Sequence, residues 1–280
     1  MQNSVRARRF HPAAASVWQV ILVFAMGAVA GHVAAANLKT ACCNVVELRQ
    51  YTLHPGLRDA FTQLFDGTFA EPQDATGMTV IGEYWDLDRP DRFVWIRGFQ
   101  DMEARAKELT SFYDTAVWRT YRSEANASIA DSDNVLLLEP ISPAGGFKDI
   151  PARPAGAAAA SGRLIVVTLY YTVPEGLAGF IRFFDRSLRG RAEFAGARTV
   201  AEYATSKQPN NFPRLAVRTG ESIVVWVTRF TSPEAYAAYL EKRDADPQWR
   251  EKLWPVARAQ LVRDPEVLRM SPTPRSRLRG

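Results

Sequence analysis

The feature that most constrains this chain is that its pattern recurs. Glu47-Leu-Arg-Gln-Tyr-Thr-Leu-His-Pro-Gly56 aligns with Val167-Thr-Leu-Tyr-Tyr-Thr-Val-Pro-Glu-Gly176 at an offset of 120 residues, with Tyr51 over Tyr171 and Gly56 over Gly176; Val80 falls on Val200 at the same offset. Trp95 and Phe99 match Trp226 and Phe230 at an offset of 131, as do Trp118-Arg119 and Trp249-Arg250, and Val135 and Pro140 meet Val267 and Pro272 at 132. One insertion of about eleven residues, between the second and third strands of the second copy, accounts for the change of offset. Self-similarity at a fixed period is the mark of one supersecondary unit used more than once.

Each copy carries the same element signals. Val45–Leu53 alternates and is rich in strand-forming residues, so period two predicts a strand. After the Pro55-Gly56 turn, Leu57, Phe61, Leu64 and Phe65 fall on one helical stripe, answered by Leu177, Ile181, Phe184 and Leu188. Gly77 ends that helical region, and residues 78–86 and 93–99 read as two strands joined by the turn Asp88-Arg89-Pro90-Asp91. Asp101 and Ser232 are placed to cap the next helix, with Pro233 at its first position in the second copy. A helix carrying Trp118 follows, and residues 134–139 predict a short edge strand. The expected fold class is α+β: two tandem ferredoxin-like βαββα(β) repeats. Each sheet would have helices on one face and a bare second face, which the other copy covers, closing a barrel. Residues 43–141 and 163–271 are the two expected domains. Residues 142–162, with Gly145-Gly146, Pro151, Pro154 and an alanine run, read as a flexible linker, and 272–280 as a disordered basic tail.

Charge narrows the function classes. The chain has 35 basic and 30 acidic side chains. Seven of the basic ones lie in residues 1–40 and 271–280, which hold no acid, so the body is slightly acidic and has no stripe suited to nucleic acid. Arg6, Arg8 and Arg9 precede an apolar run from Val17 to Gly31 and then Ala34-Ala35-Ala36, the three-part outline of a secretory signal. The run is short for a membrane span, so no stable transmembrane segment is expected. Residues 1–41 are read as that signal or as an extension outside the fold, leaving cytoplasmic and exported locations both open. Cys42 and Cys43 are sequence neighbours, whose spacing predicts no disulfide and no metal site. The three histidines are scattered, and His54 precedes a turn. No metal, nucleophilic pair or dinucleotide or phosphate-loop motif is present, so no cofactor is expected.

The two copies differ where a site could lie. Glu47, Arg49 and Tyr51 share one face of the first strand, and Trp95 and Arg97 one face of the third; the offsets set Val167, Leu169, Tyr171, Trp226 and Thr228 against them. If the charged face lines the barrel interior, these residues surround a partly apolar cavity suited to a carboxylate or phosphate. Glu83, in phase with Ile81 and Trp85, would join them. The alternative is an ion-pair network with a purely structural role. Trp95, Trp118, Trp226 and Trp249 recur in both copies, as core residues do.

Residues 43–140 resemble the NIPSNAP family in Val46-Glu-Leu-Arg-Gln-Tyr-Thr-Leu-His-Pro-Gly56, in Phe93-Val-Trp-Ile-Arg-Gly-Phe99, and in Phe112-Tyr113 through Trp118-Arg119. Residues 163–272 resemble a second, more divergent copy. The resemblance implies a dimeric α/β barrel packed sheet to sheet, in a superfamily that also holds antibiotic-biosynthesis monooxygenases, haem peroxidases and small isomerases. The NIPSNAP branch has no settled activity; its eukaryotic members are associated with mitochondria and vesicle traffic, and the apolar N-terminus here departs from that pattern. Two functions follow as expectations. One is a binding or scaffold protein using the barrel cavity for a small acidic or aromatic ligand. The other is a cofactor-free monooxygenase- or isomerase-like enzyme, in which Glu47, Arg49 and Arg97 position the substrate and Tyr51 moves a proton. Whole-chain homodimers stay open.

Overall fold

A computed structural model describes residues 42–156 and 162–279. The signal-like segment lies outside the described residues. The fold is mixed α/β, and its centre is one antiparallel sheet. Its strands are β1 (Val45–Leu53), β2 (Thr79–Asp86), β3 (Arg92–Phe99), β4 (Ile129–Asp131), β5 (Val135–Pro140), β6 (Leu164–Thr172), β7 (Arg198–Thr205), β8 (Ser222–Phe230) and β9 (Glu266–Pro272). Their order is β3-β2-β9-β6-β8-β7-β5-β1-β4, and β3 also pairs with β1. That extra pairing closes eight strands into a barrel, with β4 as an appendage on β1. Closure removes the unpaired edges that an open sheet of this size would leave. Residues 134–139 therefore do not form an edge strand as expected: β5 bonds to β1 on one side and to β7 on the other.

The helices pack outside the barrel. Between β1 and β2 run α1 (Arg58–Leu64), a π-helical turn (Phe65–Phe69) and α2 (Ala70–Ala75). After β3 come α3 (Met102–Tyr113) and α4 (Ala116–Ser128), whose N-caps Asp101 and Thr115 accept from Ala104 N and Trp118 N. In residues 164–272 the corresponding places hold α5 (Leu177–Phe183), a π-helical turn (Phe184–Leu188) and α6 (Arg189–Ala195), then α7 (Pro233–Ala245), a third π-helical turn (Gln248–Leu253) and α8 (Trp254–Arg258). Fourfold spacing drifts by about 40° in an α-helix, and a wider π-turn subtracts from that drift. Phe61, Phe65 and Phe69 thus stay on one line facing the sheet.

Strands such as β1, β3, β6 and β8 are sandwiched between two apolar layers. Val46, Leu48, Val94, Ile96, Ile165, Val167, Val225 and Val227 fill the barrel interior, while Val45, Tyr51, Leu53, Phe93 and Trp95 face the helices of the first half. The interior is tightly packed: the space between Val46, Leu48, Ile96, Val167 and Val225 is about 10 Å³, too small for the ligand cavity expected there. Contrary to the spacing argument, Cys42 and Cys43 form a disulfide, with Cα atoms 3.8 Å apart. Their sequence adjacency sets that spacing, tighter than a bridge between distant cysteines, and the bond closes a small ring instead of a long loop. Buried Cys43 lies against Gly98 of β3 so closely that a Cβ there would come within 2.2 Å of its Sγ.

Residues 142–156 of the linker and the tail are fixed on the barrel, contrary to expectation; the alanine run lies outside the described residues. Phe147 is buried in the interior cluster, its N–H donating to the Tyr203 hydroxyl and its carbonyl accepting from Cys42 N. The tail runs beside β2, with Thr273 N donating to Glu83 O and Leu278 N to Ile81 O. Phe147 in the linker and Thr273, Ser276 and Leu278 in the tail are buried, and so few anchoring side chains are averaged away in composition. No helix of the described residues is long and apolar enough to cross a membrane.

Candidate functional site

The ligand-sized space of the first half lies between sheet and helices, on the face opposite the barrel interior. It measures about 270 Å³. Phe61, Phe65 and Phe69 supply one wall, Trp95 and Tyr51 the sheet side, and Phe112, Tyr113 and Trp118 the far wall. Period two places Glu47, Arg49 and Tyr51 on this helix-facing side because Val46 and Leu48 take the interior.

Beneath the aromatic walls one carboxylate meets three guanidiniums. Glu47 Oε2 accepts from Arg49 Nη1 at 2.7 Å and from Arg97 Nε at 2.8 Å, and Oε1 accepts from Arg105 Nε at 2.7 Å. All four side chains are at most 1% exposed. Burial by itself would raise the Glu47 pKa, but the three cations more than offset it and hold the carboxyl well below the usual range. Arg49 also donates through Nε to the Tyr51 hydroxyl at 3.1 Å, and Arg97 through Nη1 to Gln73 Oε1 at 3.0 Å. The guanidiniums of Arg49 and Arg97 stand 5.5 and 4.9 Å from the Trp95 ring centre. Among the described residues Glu47 is the only carboxylate paired with these three arginines, so the cluster carries a formal charge of +2. The Tyr113 phenol faces the same charges; burial pushes its pKa up and Arg97 pulls against that shift.

The expected site residues therefore divide. Tyr51 and Trp95 line the cavity, whereas Glu47, Arg49 and Arg97 lie buried behind that lining, touching it through the Tyr51 hydroxyl and the Trp95 ring. Glu83 stands opposite Trp95 on the neighbouring strand, but a bulge between Val80 and Gly82 breaks its phase with Ile81. It binds Arg153 Nη1 at 2.6 Å instead. Arg153 also reaches Asp74, and Arg277 joins it there. Glu83 is thus an anchor for linker and tail. His54 is exposed in its turn.

Sequence reasoning missed Arg105, Tyr113 and the insertion's destination. Residues 206–221, between β7 and β8, cross to the first half. Asn210 and Asn211 accept from Arg105 Nη1 at 3.1 and 2.7 Å, Phe212 stacks on Tyr113 at 5.7 Å, and Arg214 and Leu215 complete the cavity wall. The insertion was visible as a change of offset. Its landing place had no sequence signal.

Register also corrects the pairing of the halves. Arg49 stands opposite Trp95 and Glu47 opposite Arg97; Thr168 stands opposite Trp226 and Val166 opposite Thr228. The first-strand equivalents are therefore Val166, Thr168 and Tyr170, one residue before those expected. Arg105 and Tyr236 each lie four residues past their N-caps, and Gln73 and Ala192 eight past the start of their π-turns. Every member of the charged cluster has an uncharged counterpart. The Trp226 indole donates to Thr199 Oγ1 at 3.0 Å, whereas Val80 occupies the matching place and the Trp95 N–H has no acceptor among the described residues.

The sequence profile of the NIPSNAP family matches residues 46–143. Residues 46–143 are a NIPSNAP domain. A NIPSNAP family protein from Agrobacterium tumefaciens is 20% identical over 35% of this chain and 89% of its own, with a TM-score of 0.33. Over the wider chain, an anthrone oxidase-like protein is 15% identical, covering 82% of this chain and 91% of its own at a TM-score of 0.53. A Fusobacterium nucleatum protein described as a candidate monooxygenase is 7% identical, covering 84% and 95%, also at 0.53. At these identities the likeness shows the fold alone: the NIPSNAP domain sits within a barrel folded like those of these two proteins. A search of curated proteins finds no match.

Proposed function

We propose that the NIPSNAP domain of this chain binds a small anionic aromatic compound between its sheet and its helices. One observation carries the reading: three buried guanidiniums share one carboxylate under an aromatic cavity, while the second half builds the same floor from Val166, Thr168, Thr228 and Tyr236. A buried charge is costly unless paired, so a surplus of two directly behind the cavity lining is a poor device for stability and favours an anion at the Tyr51 and Trp95 side of the cavity. The unmatched Trp95 N–H adds a donor at the cavity wall. The matching element order and register of the halves support a tandem duplication of a ferredoxin-like unit in which only the first copy carries this floor.

The test is calorimetric titration of the full chain with 2-naphthoate. Arg97→Thr, which installs the second-half residue, is expected to weaken binding tenfold or more, about 1.4 kcal/mol. Equal affinity in the two proteins refutes the site. A second reading is catalysis: Tyr51 lines the cavity and its hydroxyl accepts from Arg49, a placement suited to proton exchange with a bound phenol or enol. An oxygen electrode decides it with anthrone, whose oxidation to anthraquinone would consume one O₂ and release one water. Enzyme-dependent uptake that Tyr51→Phe abolishes supports catalysis, and uptake no faster than buffer leaves binding alone.

A further inference from the structure

The second half has its own cavity at the corresponding place, about 450 Å³ in volume against about 270 Å³ in the first. Its walls include Trp226, Trp249, Trp254, Tyr170, Tyr236 and Tyr239. The volume difference has a clear source. Where Arg49 and Arg97 fill space in the first half, Thr168 and Thr228 end at a hydroxyl and a methyl, and Ala192 replaces Gln73. Interiors pack close to crystal density, so a space of this size is not an ordinary packing defect.

The chemistry of the walls is electroneutral. Arg243, over the Tyr239 and Trp249 rings at 5.5 and 5.4 Å, is held by Asp244 at 2.7 and 3.1 Å. Arg250 is held by Glu251 at 2.6 Å. Burial pushes the phenols of Tyr170, Tyr236 and Tyr239 upward, so all three remain neutral around pH 7. Trp249 and Trp254 stack on each other, with ring centres 6.2 Å and planes 9° apart, and both line the cavity. Thr228 Oγ1 donates to Val166 O and keeps lone pairs to accept, and the Thr168 hydroxyl lines the floor beside it.

We propose that this second cavity is a binding site for an uncharged planar aromatic compound bearing a hydroxyl or carbonyl group, distinct in charge preference from the site in the NIPSNAP domain. The inference does not depend on the first site, because none of the second cavity's lining residues belongs to the first. Aromatic walls supply stacking with any planar ring, while the lack of an unpaired cation removes the reason to select an anion. The two halves would then share a barrel and divide ligands by charge.

The experiment uses a matched pair: 2-naphthol, neutral at pH 7, and 2-naphthoate, an anion of nearly the same shape. Each is titrated calorimetrically into the full chain and into Arg97→Thr and Thr168→Phe, the latter placing a ring in the second cavity. Binding of 2-naphthol is expected to fall tenfold or more in Thr168→Phe and to stay unchanged in Arg97→Thr, with the reverse for 2-naphthoate. If circular dichroism shows Thr168→Phe misfolded, Trp254→Ala, a half-buried wall position, takes its place with the same expectation. No binding of 2-naphthol to the wild type, binding that survives both second-half variants, or binding lost in Arg97→Thr would each overturn the proposal. The 2-naphthoate arm reports separately on the first site.

Discussion

Replacing Glu47 with glutamine removes one charge without changing the side chain's shape, and the consequence can be worked out from its contacts. Arg49, Arg97 and Arg105 each approach the carboxylate at 2.7 to 2.8 Å in a cluster that is almost wholly shielded from water. In Glu47→Gln the amide keeps one acceptor oxygen but turns an NH₂ toward guanidinium donors, and the buried formal charge rises from +2 to +3. Removing one partner of a buried ion pair typically costs about 3–5 kcal/mol, and three partners share this one. We expect about 4 kcal/mol of lost stability at pH 7, read from urea unfolding followed by circular dichroism. The comparison that isolates the cause is the fivefold variant Glu47→Val, Arg49→Thr, Gln73→Ala, Arg97→Thr and Arg105→Tyr, which installs the second half's residues. It removes every charge together and should be more stable than the single substitution, despite altering five positions. The pH dependence has a definite sign. The folded pKa of Glu47 is depressed, so its contribution is complete above the unfolded value near 4.5 and is lost as pH falls toward the folded one. The deficit of Glu47→Gln should therefore be full at pH 7 and shrink below about pH 4.5. A deficit under about 1 kcal/mol at pH 7, or a fivefold variant weaker than the single one, refutes the account of an over-charged buried floor.

Two other perturbations test separate parts of the molecule. Burial pushes Glu83 up to about 8, opposed by its Arg153 partner. A raised carboxyl contributes fully below its unfolded value near 4.5 and loses that contribution as pH rises through about 8. The wild type should thus lose thermal stability relative to Glu83→Gln between pH 5 and 9, and parallel melting curves would refute the assignment. Gly98→Ala sets a Cβ 2.2 Å from Cys43 Sγ and 2.6 Å from its Cβ. Overpacking of that kind costs about 1–3 kcal/mol, visible as a lowered Tm, and adding Cys43→Gly, which removes both clashing atoms, should recover part of it; an unchanged Tm for the single variant would show that β3 and Cys43 are not in contact.

Which parts of this arrangement were legible in the sequence follows from how each residue is surrounded. The strand at Val45–Leu53, the caps at Asp101 and Ser232 and the left-handed Gly77 rest on local signals, and the structure places all of them. Face assignment failed because strands buried on both sides carry no polar side to mark solvent: period two puts Glu47, Arg49 and Tyr51 together without saying toward which layer. The one-residue error in pairing the halves came from the doublet Tyr170-Tyr171, either of which aligns with Tyr51, and from using Gly56 and Gly176 as anchors although the second turn is one residue longer. A slip of one residue exchanges the faces of a strand, so it set interior Val167 and Leu169 against helix-facing Glu47 and Arg49. A bulge at Ile81 sets Glu83 on the Trp95 face, and its partner Arg153 comes from the linker, whose landing place leaves no sequence mark.

The insertion between β7 and β8 bears on what the unit of function is. Were the first half complete in itself, its floor and walls would come from residues 43–141 alone. Arg105 instead divides its donors between Glu47 of the first half and Asn210 and Asn211 of the second, and Phe212, Arg214 and Leu215 form part of the cavity's wall. The second half lacks the charged cluster; Leu215 and Val217 of this loop pack with the first half's cluster, while Arg218 also bonds the Tyr171 hydroxyl of the second half. Phe212, Arg214 and Leu215 of this segment line the first half's cavity, and no residue of 206–221 lines the second. The charge asymmetry and the loop thus point the same way: the first half holds the ionic chemistry, and the second closes it in while keeping a neutral cavity of its own.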